Sequence, residues 1–256
     1  LVIGFHMPHN FRQKLRDLEP LIGTMITLDT PATAEILAEL GFDWFFVDGE
    51  HGPLESSELL GILRAVDHKV PCVVRVPAAE ETPIKKVLDI GAAGVIVPMV
   101  NTAEQAADVV KYARYAPAGS RGVGLARAHG YGLKFSEYVE SANDEVAVIV
   151  QTEHIDSVNN IEKIVAVEGI DAIQLGPYDL SASMGKMGQV DDPEVVEAID
   201  HVIKTCQAAG LAIGWFGVTA DAVKPYLDRG CTLMTAGVDT LMLASAGKRL
   251  LETMRS

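Results

Sequence analysis

Two carboxylates in this 256-residue chain follow short apolar runs that break abruptly into polar residues. Residues 146–150 give way to Gln151 and Glu153, and residues 172–175 give way at Gly176 and Pro177 to a loop carrying Tyr178 and Asp179. Where such runs are neighbouring parallel strands of one α/β sheet, their exits share the face on which sites are built. Glu153 and Asp179 then converge on one point. Paired carboxylates with room for water suit a hard divalent cation such as Mg²⁺, Mn²⁺ or Co²⁺, so this pair is the candidate metal site. Further exits add Asp48, Glu50 and His51 after residues 44–47, and Arg75 at the close of residues 72–76. A lone strand-end His or Arg is more often structural. Together these groups supply an acid/base, an orienting carboxylate, a cation for an anionic substrate and two metal ligands.

A Schiff-base mechanism needs a Lys on a strand, pointing inward. No strand read from this sequence ends in Lys: Lys69 precedes one, Lys186 lies in a loop, and the others fall on helices or their flanks. Negative charge developing on a substrate must then be met by the metal as Lewis acid, assisted by Arg75. Barrels often bind phosphate after their last two strands, where Gly214, Gly217 and Gly237 provide turns. Asp239, opening the last helix, opposes an anion there; it reads as an N-cap, and a substrate without phosphate is expected.

The elements that must position these groups repeat one unit. Apolar runs at 21–28, 44–47, 72–76, 95–97, 146–150, 172–175, 211–216 and 232–236 are each followed by an amphipathic helical stretch, several ended by Gly or Pro. The predicted helices cover 31–40, 57–66, 83–90, 103–113, 135–142, 158–167, 193–209, 220–229 and 239–254. Short continuous apolar strands belong to sheets covered on both faces, and eight such units close into a (β/α)8 TIM barrel. An open doubly wound sheet would need a Gly-rich phosphate loop after its first strand, and residues 28–31 are not one. Residues 115–132, rich in Gly and Arg and containing His129, break the rhythm and read as a long loop over the site. Residues 1–20 read as an N-terminal arm or leading helix, and residues 21–256 as a single catalytic domain.

Composition narrows the partners. At 48% hydrophobic residues the chain can bury one large core, and its formal net charge of −14 repels a phosphate backbone, so nucleic acid is excluded as an expected partner. Cys72, Cys206 and Cys231 are odd in number, lie in or beside apolar runs and lack metal-type spacing; buried thiols in a reducing cytoplasm are expected. No apolar run approaches the roughly 20 residues of a membrane span.

Four separated stretches carry a resemblance: residues 42–51 (FDWFFVDGEH), 97–100 (VPMV), 115–124 (YAPAGSRGVG) and 175–181 (LGPYDLS). In this order they resemble the HpcH/HpaI family of class II, metal-dependent pyruvate aldolases, from about residue 21 to the C-terminus. The resemblance implies a TIM barrel whose C-terminal helix is exchanged between subunits, dimers assembling into homohexamers, and cleavage of a 4-hydroxy-2-oxo acid to pyruvate and an aldehyde. Glu153 and Asp179 would hold the metal with Gln151 in support. His51, paired with Asp48, would be the base. Arg75 would hold the keto oxygen, approached by Asp89 of a neighbouring subunit, and N–H groups around Tyr178 and Asp179 would receive the substrate carboxylate. Three positions depart from the family's pattern: Met25 for a Trp, Thr152-Glu153-His154 for a Val-Glu-Thr order, and Gln174 for a more apolar residue. Met25 and the loop around His129 are expected to shape the aldehyde pocket, and His154 is a candidate additional ligand or acid. Two rivals follow: an acyl-CoA lyase like the citrate lyase β-chain, which needs a basic groove that this acidic chain lacks, and a non-catalytic 2-oxo-acid-binding barrel.

Overall fold

The computed structural model describes residues 10–256. Eight parallel strands close into a barrel in sequence order: β1 (Leu21–Ile26), β2 (Trp44–Asp48), β3 (Cys72–Arg75), β4 (Gly94–Val97), β5 (Ala147–Thr152), β6 (Ala172–Leu175), β7 (Ala212–Gly217) and β8 (Leu233–Val238), with β8 pairing back onto β1. The continuous apolar runs are explained by two separate cores. Phe45, Val47, Val74, Val95, Val148 and Ile173 face the surrounding helices, while alternate residues Trp44, Phe46, Val73, Ile96, Ile149 and Ala172 fill the barrel interior. The helix Phe11–Arg16 adds Phe11 and Leu15 to that interior and closes the mouth where the strands begin; Arg12 donates to both carboxylate oxygens of buried Asp171, at 2.8 and 2.9 Å.

The stagger of the strands places inward side chains of alternate strands at one height. Following the pairing registers, Met25, Arg75, Gln151 and Phe216 form the layer nearest the strand exits, Phe46, Ile96, Gln174 and Thr235 the layer beneath, and Gly23, Val73, Ile149 and Gly214 the next. The upper layer is thus half polar, and so is the second.

Several sequence expectations are corrected. The stretch after β6 is a helix, Pro177–Ser183, because Pro177 stands at the first helical position, where its missing N–H costs nothing. The helix expected over 158–167 is two short ones, Ile155–Asn159 and Ile161–Val165. Residues 115–132 do not cover the site of their own chain. Arg121 donates to Asp89 at 2.8 Å, and Arg127 donates to the Ile90 carbonyl at 3.0 Å and pairs with Asp67 at 2.6 Å. These acceptors end the helices Glu81–Asp89 and Ser56–Val66, at the mouth opposite the strand exits, where carbonyl-rich helix ends attract guanidinium groups. Asp239 is not an N-cap; Val238 holds that position. The buried Asp239 carboxylate accepts from Thr27 N and Leu28 N, both at 2.9 Å, and from Thr27 Oγ1 at 2.7 Å, tying the exit of β1 to that of β8.

The last helix, Asp239–Arg255, buries only its first residue and leaves Leu243, Leu250, Leu251 and Met254 exposed. Ile36, in the helix Pro31–Ala38, and Leu40 just beyond it are exposed too. Among the described residues no helix is long and apolar enough to cross a membrane.

Candidate active site

At the exit of β2, Asp48 is the last strand residue and points inward, which places its carboxylate against Arg75 at the end of the neighbouring β3. The guanidinium donates through Nε to Asp48 Oδ1 at 2.9 Å and through Nη2 to Oδ2 at 2.8 Å, a bidentate fork. Its remaining edge meets Glu50 Oε2 at 3.0 Å through Nη1, and the same oxygen stands 3.6 Å from His51 Nε2. The imidazole therefore faces Glu50, not Asp48. Asp48 Oδ1 instead accepts the backbone N–H groups of Glu50 and His51, at 3.1 and 3.3 Å, which shapes the loop and leaves the His51 ring at the solvent edge. Glu50 was visible in the sequence only as one more polar residue after β2; its bridging place depends on how that loop turns.

Glu153 leaves β5 beside this group. Met99 N donates to its Oε1 at 2.7 Å, and Gln151 Nε2 donates to its Oε2. Met99 adopts a φ of +55°, a conformation that costs a non-glycine residue energy and recurs at sites that fix a ligand group. No sequence signal marks it. A Cβ at Gly176 would stand 2.8 Å from Glu153 Cβ and 3.0 Å from its Oε2, so only glycine lets the β6 exit approach Glu153 this closely. Gly176→Ala is expected to displace Glu153 and weaken divalent-cation binding about tenfold, the loss usual for groups that support a ligand, as read by Mn²⁺ titration.

Electrostatics join the two halves. Burial alone would raise the Asp48 carboxyl, but the hydrogen bonds and charge of Arg75, with the two loop N–H groups, hold it below the usual carboxylate range. Glu50 is pushed up, first by burial and further by the charges of Asp48 and Asp179, against the pull of Arg75 and His51. Glu153 is also pushed up, by burial and by the charges of Glu50 and Asp179. The exposed Asp179, in the first turn of the helix after β6, thus acts on both glutamates, while Asp48, Glu50 and Glu153 act on the Arg75 guanidinium, so the exits of β2, β3, β5 and β6 are electrostatically joined. This excess of negative charge, made entirely of oxygen donors, fits a hard divalent cation. A buried acceptor with no partner among the described residues, Gln151 Oε1, lies in the same layer as Arg75. Among the described residues no three His, Cys, Asp or Glu side chains stand together so as to hold a metal ion by themselves.

The other candidates separate. Met25 is in the Arg75 layer. His129 is fully buried against Tyr115, Phe135 and Tyr138, with Nε2 2.9 Å from the Tyr115 hydroxyl, and takes no part in its own chain's site. His154 caps the helix Ile155–Asn159, its Nδ1 accepting from Asp156 N at 3.1 Å. Asp89, bound to Arg121, lies at the far mouth from Arg75.

Residues 22–246 match the model of the HpcH/HpaI aldolase/citrate lyase family. The chain belongs to that family. It is 42% identical to a hydroxypyruvate/pyruvate aldolase of Cupriavidus necator over 97% of this chain and 94% of that protein, and 40% identical to a 4-hydroxy-2-oxovalerate aldolase of Rhodococcus jostii over 92% of each. A crystal structure of an HpcH/HpaI aldolase/citrate lyase family protein from Burkholderia cenocepacia superposes with a TM-score of 0.93 at 37% identity, covering 97% of this chain and all of that one. This member of the HpcH/HpaI family is an enzyme, a carbon–carbon lyase of the class II aldolase type, which sets aside the reading of a non-catalytic barrel.

Proposed function

We propose that this aldolase reversibly cleaves a 4-hydroxy-2-oxo acid to pyruvate, or a close 2-oxo acid, and an aldehyde. The observation that carries this reading is the place of Arg75: clamped by Asp48 and Glu50, it leaves two N–H groups outside that clamp and lies within the field of Glu153, with an exposed imidazole one carboxylate away. The named aldolases of 4-hydroxy-2-oxo acids and of pyruvate among the relatives support the same substrate class.

Glu153 and Asp179 would hold the divalent cation, Mg²⁺, Mn²⁺ or Co²⁺, with Gln151 bracing Glu153. When bound, the cation supplies Lewis-acid stabilisation of charge on the 2-keto oxygen. The chain's own residues do the rest. His51 takes the proton from the 4-hydroxyl, steadied by Glu50; the C3–C4 bond breaks, its electrons move toward the 2-keto oxygen, and Arg75 donates to the charge growing there. The N–H groups of Tyr178 and Asp179, in a helix's first turn and without intrahelical partners, receive the substrate carboxylate. Asp89 lies too far from its own chain's Arg75 to act on it and would serve only a neighbouring subunit's. The apolar residues exposed on the helix Asp239–Arg255, together with Ile36 and Leu40, support exchange of that helix within a dimer, and a hexamer of such dimers is the assembly we propose.

His51→Ala is expected to slow aldol cleavage about 10² to 10⁴-fold. Exchange of pyruvate methyl protons, which needs no 4-hydroxyl, should fall far less. Pyruvate release measured beside methyl-proton loss by NMR checks this, and equal loss of both would remove His51 from the role of base.

A further inference from the structure

We propose that Gln174 and Thr235 hold an ordered water beneath the site, and that this water fixes Gln151 with its NH₂ group on Glu153. The inference rests on the reading of Glu153 as a metal ligand and adds the device that positions it.

The second layer of a barrel interior is normally filled by branched apolar side chains. Here Phe46 and Ile96 share it with Gln174 and Thr235, which are 1% and 0% exposed. Three buried oxygens in these two adjoining layers have no hydrogen-bond partner among the described residues: Gln174 Oε1, Thr235 Oγ1 and, on the neighbouring strand one layer up, Gln151 Oε1. Gln151 and Gln174 are direct register partners of β5 and β6. Among the described residues the Gln174 amide has one weak hydrogen bond, Nε2 to the Leu175 carbonyl at 3.5 Å. Leaving three such oxygens unsatisfied would be costly, and native interiors rarely do so.

The chemistry specifies what fits. Two of the oxygens are amide carbonyls, which only accept, and the third is a hydroxyl, which can donate. One water donates to Gln151 Oε1 and to Gln174 Oε1 and accepts from Thr235, making the three hydrogen bonds typical of a buried water. Room for the Gln174 amide comes from Gly214 below it: a Cβ there would lie 2.0 Å from Gln174 Oε1. With Oε1 engaged by the water, the Gln151 amide has one orientation, and its NH₂ group must face Glu153 Oε2, where it is found. Without that water the amide can turn over and present its carbonyl to a carboxylate, which repels it. Gln174 and Thr235 are in this sense positioning residues: neither reaches substrate.

The test is a crystal structure of the metal-free protein at a resolution that shows single waters, paired with Thr235→Val, which keeps the shape and removes the hydroxyl. The expected result is a water within hydrogen-bonding distance of all three oxygens in the wild type, and its loss with a disordered or inverted Gln151 in Thr235→Val. Mn²⁺ titration without substrate should then show affinity reduced about tenfold in Thr235→Val and in Gln174→Met, with both variants folded by circular dichroism. Direct bonding among the three side chains, or a dry layer, overturns the proposal, as does wild-type Mn²⁺ affinity in both variants. Failure of the wild type itself to bind a divalent cation would overturn the metal reading of the site, while the crystallographic comparison still decides the water.

Discussion

Arg75→Met should unfold about 3–5 kcal/mol more easily than the wild type at neutral pH and lose about 10² to 10³-fold in turnover. The large stability term follows from what the variant leaves behind. Asp48 is buried with its carboxylate clasped by the guanidinium, and without the cation it is a buried charge held only by two loop N–H groups. The pH dependence should change sign. In the wild type the Asp48 carboxyl is held below its ordinary value, so its contribution is full above the unfolded value of about 3.9 and is lost as pH falls through the lower folded one. In the variant burial, the largest cause, is opposed only by the two loop N–H groups, so the folded carboxyl rises above the unfolded one, and acidification toward it stabilises the protein. Adding Asp48→Asn to Arg75→Met should recover much of the stability and none of the activity. Denaturant titrations across the acid range separate these cases; a double variant that regained turnover would mean that Arg75 serves only to neutralise Asp48.

Residues 44–47 and 172–175 could be read as strands because each is apolar on both faces, a pattern imposed by two cores rather than one. Once eight such strands are placed in order, closure of the barrel brings Asp48, Arg75, Glu153 and Asp179 to one rim, so which residues share that rim was legible with the fold. What the sequence did not disclose depends on backbone direction at single residues. Pro177 is compatible with a turn and with the first residue of a helix, and the helix is chosen by packing of Leu180 and Ser181. The arginines of residues 115–132 suit an anionic substrate as well as helix C-termini, and only the tertiary path sends them to Asp67, Asp89 and Ile90. Likewise Asp239 has the right type and spacing for a cap, yet the exit of β1 passes close enough to claim both its oxygens. The positive φ of Met99 has no signature in its side chain at all.

Glu153→Gln and Asp179→Asn should both abolish metal-dependent turnover, by at least about 10³-fold, but they should move the stability of the metal-free protein differently. Glu153 is buried among like charges, and its carboxyl is pushed above the ordinary value, so ionisation opposes folding at neutral pH. Replacing it by the neutral amide removes that repulsion, and the carbonyl still accepts from Met99 N. The metal-free Glu153→Gln protein should therefore melt higher than the wild type, and the gap should close as pH falls toward the raised value, because the wild-type carboxyl takes up a proton there and loses its charge. Asp179 is exposed to solvent, so its replacement should change the melting temperature little. Added Mg²⁺ or Mn²⁺ should reverse the order, raising the melting point of the wild type through binding to the folded state and leaving both variants unmoved. A carboxylate held in place against its own repulsion is the mark of a site built to be completed by a cation, and metal-independent stability in the wild type beside full activity in either variant would show that these oxygens hold no ion.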